Sequence, residues 1–314
     1  MLHTVPDWAI RHNYFHHSNP RNKDRAKDFF EKSHVRPLVD KAFAVLKNAV
    51  ASETEKIEAR GVLSRLYEGR SSANMEAGRA VQTATDMALV PDQQGKTYDM
   101  AEATRAGVDQ LASYKAKNDD DELRREQYLI ELPKVVEHAV KGLREAMAGD
   151  NRILGEMQLL DTLPGCALPH NTKPDYANRG DLKTKWSRPS TRAKSGWQAG
   201  SLPNTLTGMF DMNNVYQAAG FWALNGHRPP FIVYANASDY RVFTPENAPE
   251  LRDDYLHDVV ADLAMREKTT ENILRTARSK HELFSLVSPD WRAMYWNNEP
   301  VTFIQEAKKF WGSQ

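Results

Sequence analysis

Residues 153–186 read ILGEMQLLDTLPGCALPHNTKPDYANRGDLKTKW, a stretch that sets acids and a lysine at a spacing suited to phosphodiester cleavage. Asp181, Lys183 and Lys185 lie two apart. In an extended strand over Gly180–Lys185 their side chains leave one face, while Leu182 and Thr184 leave the other. The pair Asn178-Arg179 has turn chemistry and separates this strand from a short extended piece, Pro174–Ala177. The result is a tight hairpin in which Asp175 approaches Asp181 across the turn. Two carboxylates converging on one point repel each other, and a hard divalent cation with oxygen ligands, magnesium for example, relieves that repulsion. Such an ion polarises a phosphate and acidifies a bound water, while Lys183 holds the attacking water and offsets charge in the transition state. The same three residues also fit a salt-bridged surface hairpin, so the chemistry rests on what surrounds them.

Basic residues cluster around the pair. Between Lys173 and Lys194 the chain carries Lys173, Arg179, Lys183, Lys185, Arg188, Arg192 and Lys194 against Asp175 and Asp181 alone, with Trp186 inside the run and Trp197 just beyond. That composition suits a phosphate backbone and exposed bases, with Lys185, Arg188, Arg192, Lys194 and Trp186 as the candidate DNA contacts. The 314 residues are otherwise balanced, 42 basic against 42 acidic, so no global positive field attracts nucleic acid and any such binding is local. Cys166 is the only cysteine, which excludes an internal disulfide framework and a four-cysteine zinc or iron–sulfur site. The N-terminus has no apolar run of signal-peptide length and no stretch approaches 18 apolar residues, so a cytosolic protein is expected.

The elements that must position these residues are helical on both sides. An irregular arm with His12, His16 and His17 precedes apolar helical faces over Arg25–Asn48 and from Ser52 to Tyr67, where Ser52 and Glu55 form a capping box. A helix over 73–90 carries the small residues Ala77, Gly78 and Ala80. Helices over Met100–Lys117 and Asp121–Met147 follow, with the acidic run Asp119-Asp120-Asp121-Glu122 as a solvated turn of helix-capping character between them and Pro133 a kink or restart. The pattern then turns extended at Arg152–Leu160, where Glu156 is either an extra acid near a metal or a surface glutamate. Residues 187–208 read as a long basic loop. A helix over Asp211–Gly226, capped by Asp211, precedes strands at Pro230–Ala235 and Asp239–Phe243. The remainder is helical, over Ala248–Glu267, Glu271–Arg278 and Thr302–Trp311, with Trp291, Tyr295 and Trp296 as an aromatic cluster.

Pro174-Asp175 followed by Asp181-Leu182-Lys183-Thr184 resembles the PD-(D/E)XK nuclease superfamily, and the Asp-x-Lys-Thr form is similar to its RecB-like and phage exonuclease branch. Asp161 is the alternative first acid. Gln217, four residues before Phe221, looks like the branch's Gln-x-x-x-Tyr helix with phenylalanine in the last place, and Gly78 to Gln82 has the spacing of its Gly-x-x-x-His helix with glutamine as the last residue. Glu76 is the nearby carboxylate that could compensate. The likeness covers roughly residues 73–245. It implies an α/β fold with a restriction-endonuclease-like core: a small mixed β-sheet flanked by helices over 151–245, an N-terminal helical region over 1–150 packing on it, and a C-terminal one over 246–314. It also implies a magnesium-dependent deoxyribonuclease, with manganese as a substitute. Asp175, Asp181, the Leu182 carbonyl and Gln82 would hold the ion. Lys183 would position the water, Glu156 would assist, and Gln217 would steer the strand. Homo-oligomeric rings on DNA and a single-strand annealing or DNA-binding partner protein are further implications, in infected-cell cytoplasm if the gene is a phage's. A structure-specific endonuclease and an inactive nuclease fold serving as a DNA-binding or assembly factor stand as alternatives.

Overall fold

A computed structural model describes residues 36–56, 59, 72–92, 95–116, 119–150, 153–278, 291, 305 and 308. The histidines of the N-terminal arm, most of the helix expected from Ser52 to Tyr67, Tyr295, Trp296 and nearly all of Thr302–Trp311 lie outside these residues. Two compact units emerge: 71–164 with 169–263, and a smaller one built from 1–70, 165–168 and 264–314. The boundaries expected near 150 and 245 both fall inside the larger unit. The chain is mixed α/β, with small sheets flanked by helices. No helix among the described residues is long and apolar enough to cross a membrane.

In chain order the elements are α1 (Arg36–Lys47), α2 (Ala73–Leu89), α3 (Met100–Ser113), α4 (Asp119–Ala146), β1 (Leu159–Thr162), β2 (Pro169–Thr172), β3 (Gly180–Thr184), β4 (Arg188–Pro189) and β5 (Trp197–Gln198). They continue with α5 (Met209–Leu224), β6 (Phe231–Ala235), β7 (Tyr240–Phe243), a 3-10 turn at Pro249–Leu251 and α6 (Asp253–Thr276).

The three helices α2, α3 and α4 form one layer. Ser72 caps α2 through its hydroxyl, and a row of alanines, Ala73, Ala77, Ala80, Ala84 and Ala88, buries one side of that helix. Small side chains let helices approach closely: a Cβ added at Gly107 of α3 would sit 2.6 Å from the Ala80 carbonyl oxygen. Along α4, Leu132, Val135, Val136, Ala139, Val140 and Leu143 supply the larger apolar groups. A fully buried leucine or valine contributes about 1.5–3 kcal/mol, so this stripe outweighs the ~3 kcal/mol cost of Pro133 inside the helix, and α4 continues through it.

The acidic run starts the helix, as its capping character suggests, and is not a separate turn. It forms the first turn of α4, where carboxylates meet the positive end of the helix dipole. Buried Asp121 accepts hydrogen bonds from the Ala73 N–H at 2.8 Å and the Tyr114 hydroxyl at 2.6 Å, which ties the start of α4 to the start of α2.

Strands β3, β6 and β7 make a three-stranded sheet in that order, β3 parallel to β6 and β6 antiparallel to β7. One face, with Leu182, Phe231, Val233, Ala235, Tyr240 and Val242, packs into the core of the helical layer. The other face, by the two-residue alternation, carries Asp181, Lys183, Ile232 and Tyr234, and α5 contributes the groups that meet them. Gly180 starts β3 because the Phe231 ring lies over it: an added Cβ would come within 1.9 Å of that ring.

The first strand expected at Arg152–Leu160 is displaced. Residues 153–158 are irregular because their backbone bonds to the limb that precedes β3, the Ala177 N–H donating to the Leu154 carbonyl at 2.9 Å. The strand begins only at Leu159 and pairs with β2 as a separate antiparallel hairpin, outside the three-stranded sheet. The basic loop contains a second short hairpin, β4 with β5. The helix expected over Asp211–Gly226 runs from Met209, with Gly208 rather than Asp211 at its cap. The two helices expected after Ala248 are one, α6.

In the smaller unit the Ser52–Glu55 capping box forms, with the Ser52 N–H donating to Glu55 Oε2 at 2.7 Å. Burial, then the charges of Glu271 and Glu267, pushes the Cys166 thiol up to about 11, so this cysteine is a poor nucleophile.

Candidate active site

The turn before β3 is tighter than Asn178-Arg179 suggests. Its central residues are Ala177 and Asn178, both in the left-handed region (φ 50° and 60°), and the Arg179 and Gly180 N–H groups both donate to the Tyr176 carbonyl, at 3.0 and 2.8 Å. Two positive φ values match the right-handed twist of a hairpin. Asparagine accepts that conformation readily, whereas alanine does so at a cost of about 1 kcal/mol. The Asp175 N–H donates to the Gly180 carbonyl at 2.8 Å, and Asp175 Oδ2 accepts the Leu182 N–H at 3.0 Å. Asp175 is thereby fixed beside β3 from both ends.

Asp181 is buried, and Lys183 Nζ lies 2.5 Å from its Oδ2. That contact is a buried ion pair, so Lys183 already engages one oxygen of Asp181. Lys183 Nζ donates to Gln217 Oε1 at 2.9 Å, which links α5 to the acid pair. Burial, then the charge and hydrogen bond of Asp181, pushes the Asp175 carboxyl well above the usual carboxylate range, although Lys183 and the Leu182 N–H pull the other way. Burial works against the Lys183 ammonium, but the charges of Asp181 and Asp175 outweigh it and the net shift is upward. Lys183 is therefore a charged donor at neutral pH and not a base.

Beside this trio runs a second polar row on the same sheet face. The Tyr234 hydroxyl donates to Asp211 Oδ1 at 2.9 Å and accepts from Asn214 Nδ2 at 2.6 Å, and Lys185 Nζ sits 5.2 Å over the Tyr234 ring and 3.9 Å from Asp211 Oδ1. Asp211, Asn214 and Gln217 recur at helical spacing along α5 and so point to one side. Phe221, one turn further, is buried. Asp211 is thus a partner of the sheet rather than a helix cap.

Other sequence-derived residues lie apart from the acid pair. Glu156 is exposed and pairs with Lys173 at 3.1 Å. Asp161 is exposed on β1, its Oδ1 accepting the neighbouring Thr162 N–H. Gln82 is half-buried on α2, and among the described residues no hydrogen bond joins its side chain to Asp175 or Asp181. Gly78 does let α2 come close to β3, an added Cβ there lying 3.7 Å from Thr184 Oγ1. Glu76 pairs with Arg79. Trp186 does not face bases: it is buried, its ring 4.9 Å from Tyr128 and its Nε1–H donating to Thr184 Oγ1 at 2.9 Å. Alternation past β3 turns it to the helical side of the sheet, where an aromatic ring gains more from burial than from water. Arg188, Arg192 and Lys194 are exposed on or beside the β4–β5 hairpin, and among the described residues no carboxylate pairs with them. Trp197 is half-buried there.

Sequence reasoning missed Asp86. It lies on α2 at i+8 from Gly78, beside the hydroxyl of fully buried Tyr176, whose oxygen is 2.5 Å from Thr85 Oγ1. Asp86 Oδ1 is buried without a hydrogen-bond partner. The signal available was an aspartate on the otherwise small and apolar side of a helix.

Among the described residues no group of three or more His, Cys, Asp or Glu side chains converges, so the oxygen donors at the site are the two aspartates and neighbouring carbonyls. Comparison of the chain with protein-family models, with characterised proteins and with solved structures finds no match.

Proposed function

We propose that the larger unit is a restriction-endonuclease-like core and that the protein is a magnesium-dependent deoxyribonuclease, an exonuclease of phage recombination or DNA-processing type. The observation that carries this reading is the convergence of Asp175 and Asp181 with Lys183 between Asp181 and Gln217. A parallel β3–β6 pair extended by antiparallel β7, with helices on both sides, agrees with such a core.

The donor set fits a hard cation: two carboxylates whose mutual repulsion raises one of them, with the Leu182 carbonyl as a third oxygen. Magnesium, when bound there, supplies Lewis acidity toward the phosphate and a more acidic water. The chain's own residues account for the rest. Lys183 keeps its proton and directs an ammonium N–H toward the attacking water or a phosphate oxygen. Gln217 accepts from that ammonium and fixes its direction. Lys185, anchored over Tyr234 along the same strand face, adds positive charge beside the reacting phosphate. Arg188, Arg192 and Lys194 hold the backbone further along, which sets affinity and register without reading sequence.

Cleavage of end-labelled linear duplex and of closed circular DNA, with magnesium or EDTA, tests the reading in the parent protein and in Lys183→Ala. Magnesium-dependent loss of the linear substrate alone, abolished in the variant while DNA binding persists, is the expected result. Cutting of circles assigns an endonuclease instead. Binding without cleavage in magnesium and in manganese refutes catalysis and leaves a DNA-binding factor.

A further inference from the structure

We propose that Tyr176 and Thr85 are positioning residues for Asp175: helix α2 holds the tyrosine's hydroxyl and through it fixes the turn that carries the first acid. The proposal rests on the nuclease reading only for its catalytic consequence, and its geometry stands independently.

The Tyr176 backbone is the corner of the turn. Its carbonyl accepts two N–H groups, from Arg179 and Gly180, and its N–H faces the Gly180 carbonyl at 3.2 Å. Whatever holds Tyr176 therefore holds the residue before it. The side chain is fully buried, and its hydroxyl oxygen lies 2.5 Å from Thr85 Oγ1 of α2. One residue of the helix thus holds the far end of the side chain whose backbone is the corner of the turn.

The turn requires such a clamp. Ala177 is held at φ 50°, a conformation that persists in a non-glycine residue only where the surroundings impose it. Asp175 needs a fixed position as well, because it must stay beside Asp181 against like-charge repulsion, and the Leu182 N–H is the backbone donor that holds its carboxylate. Thr85 is itself fastened, its hydroxyl lying 2.9 Å from the Val81 carbonyl, so the clamp is rigid to its base.

The test uses Tyr176→Phe, which removes one oxygen and leaves the ring, together with Thr85→Val and Thr85→Ser in the full chain. Serine keeps a hydroxyl for the phenol and the nearly isosteric valine does not. The direct readout is amide hydrogen exchange at Gly180 and Leu182, whose N–H groups report the turn and the Asp175 carboxylate. Exchange is expected to accelerate about tenfold in Tyr176→Phe and Thr85→Val and to stay near the parent rate in Thr85→Ser. Unchanged protection at both amides in Tyr176→Phe and Thr85→Val overturns the proposal, whether or not the protein cleaves DNA. The second readout is the magnesium concentration for half-maximal cleavage, with magnesium binding followed by calorimetry. Loss of a group that orients a metal ligand typically costs about 10–100-fold in metal affinity, so the half-saturation point rises by at least that lower bound with DNA binding preserved. Accelerated exchange in a protein that neither binds magnesium nor cuts DNA refutes the nuclease reading while leaving the clamp in place. Equal loss of melting temperature with no change in exchange at Leu182 or in magnesium requirement shows ordinary core packing and overturns the positioning role.

Discussion

Replacing Asp86 by asparagine should stabilise the protein at neutral and alkaline pH, and not in acid. Asp86 contributes a carboxylate to the inner side of α2, where burial pushes it from an ordinary 3.8 up to about 6, the Tyr176 hydrogen bond opposing this and the charge of Glu156 adding to it. The native state therefore binds this proton more tightly than the unfolded chain does. The resulting stability is fully present below pH ~4 and lost as pH rises through about 6; above that both states are ionised and the native state bears the whole cost of the buried charge. At 1.36 kcal/mol per pKa unit the ceiling is about 3 kcal/mol, and the remaining solvent contact of the half-buried side chain reduces it to about 1–2 kcal/mol. Asparagine is nearly isosteric, still accepts from the Tyr176 hydroxyl and carries no charge. In a unit of this size that gain corresponds to a melting temperature about 2–8 °C higher at pH 8. Melting curves of parent and Asp86→Asn at pH 5, 6, 7 and 8 should diverge with rising pH, most steeply between 5 and 7. A constant difference across that range, or a variant less stable than the parent at pH 8, refutes the argument that ionisation of this group is what costs stability.

Four further outcomes follow from the geometry. Ala177→Gly relieves a left-handed alanine at the turn and should raise stability by up to about 1 kcal/mol, read by urea unfolding; destabilisation would show that the buried methyl outweighs the strain. Gly180→Ala drives a methyl into the Phe231 ring and should cost several kcal/mol, more than the ~1–3 kcal/mol usual for overpacking, because backbone of the strand bearing Asp181 and Lys183 must move; wild-type melting would contradict it. Neutralising Arg188, Arg192 and Lys194 to glutamine should weaken DNA binding at every sequence tested and reduce the slope of log affinity against log salt by roughly three, with no loss of magnesium binding. Magnesium binding should release a proton, since burial and Asp181 keep the Asp175 carboxyl well above its ordinary range; affinity should then rise with pH, and calorimetry in buffers of different ionisation enthalpy should detect the proton.

Much of the architecture was legible in the residue pattern where local signals coincide. The helix expected over 73–90 matches α2 to within a residue, Gly180–Thr184 alternates as a strand, and the strand expected at Pro230–Ala235 is β6. The acid pair and its lysine were legible for the same reason: hairpin chemistry and the two-residue period are local, and they alone bring Asp175 toward Asp181 and set Lys183 on the same face.

Pairing partners and environments were not legible, because they depend on residues distant in the chain. A glutamate in an extended stretch cannot show that its strand starts three residues later and pairs outside the main sheet, as happens to Glu156. Trp186, inside a basic run, reads as a base-stacking ring until β3 turns it under Tyr128. Asp121 reads as solvated until α2 needs an acceptor at its first amide. Asp86 carried no pattern of its own; its meaning comes from Tyr176, 90 positions further along the chain, whose hydroxyl only the folded packing of α2 against the turn brings to it. The sequence by itself determined which residues could bind a cation and a phosphate. The tertiary structure decided which of them converge, since burial, the pairing of charges and the choice of sheet face are properties of contacts and not of composition.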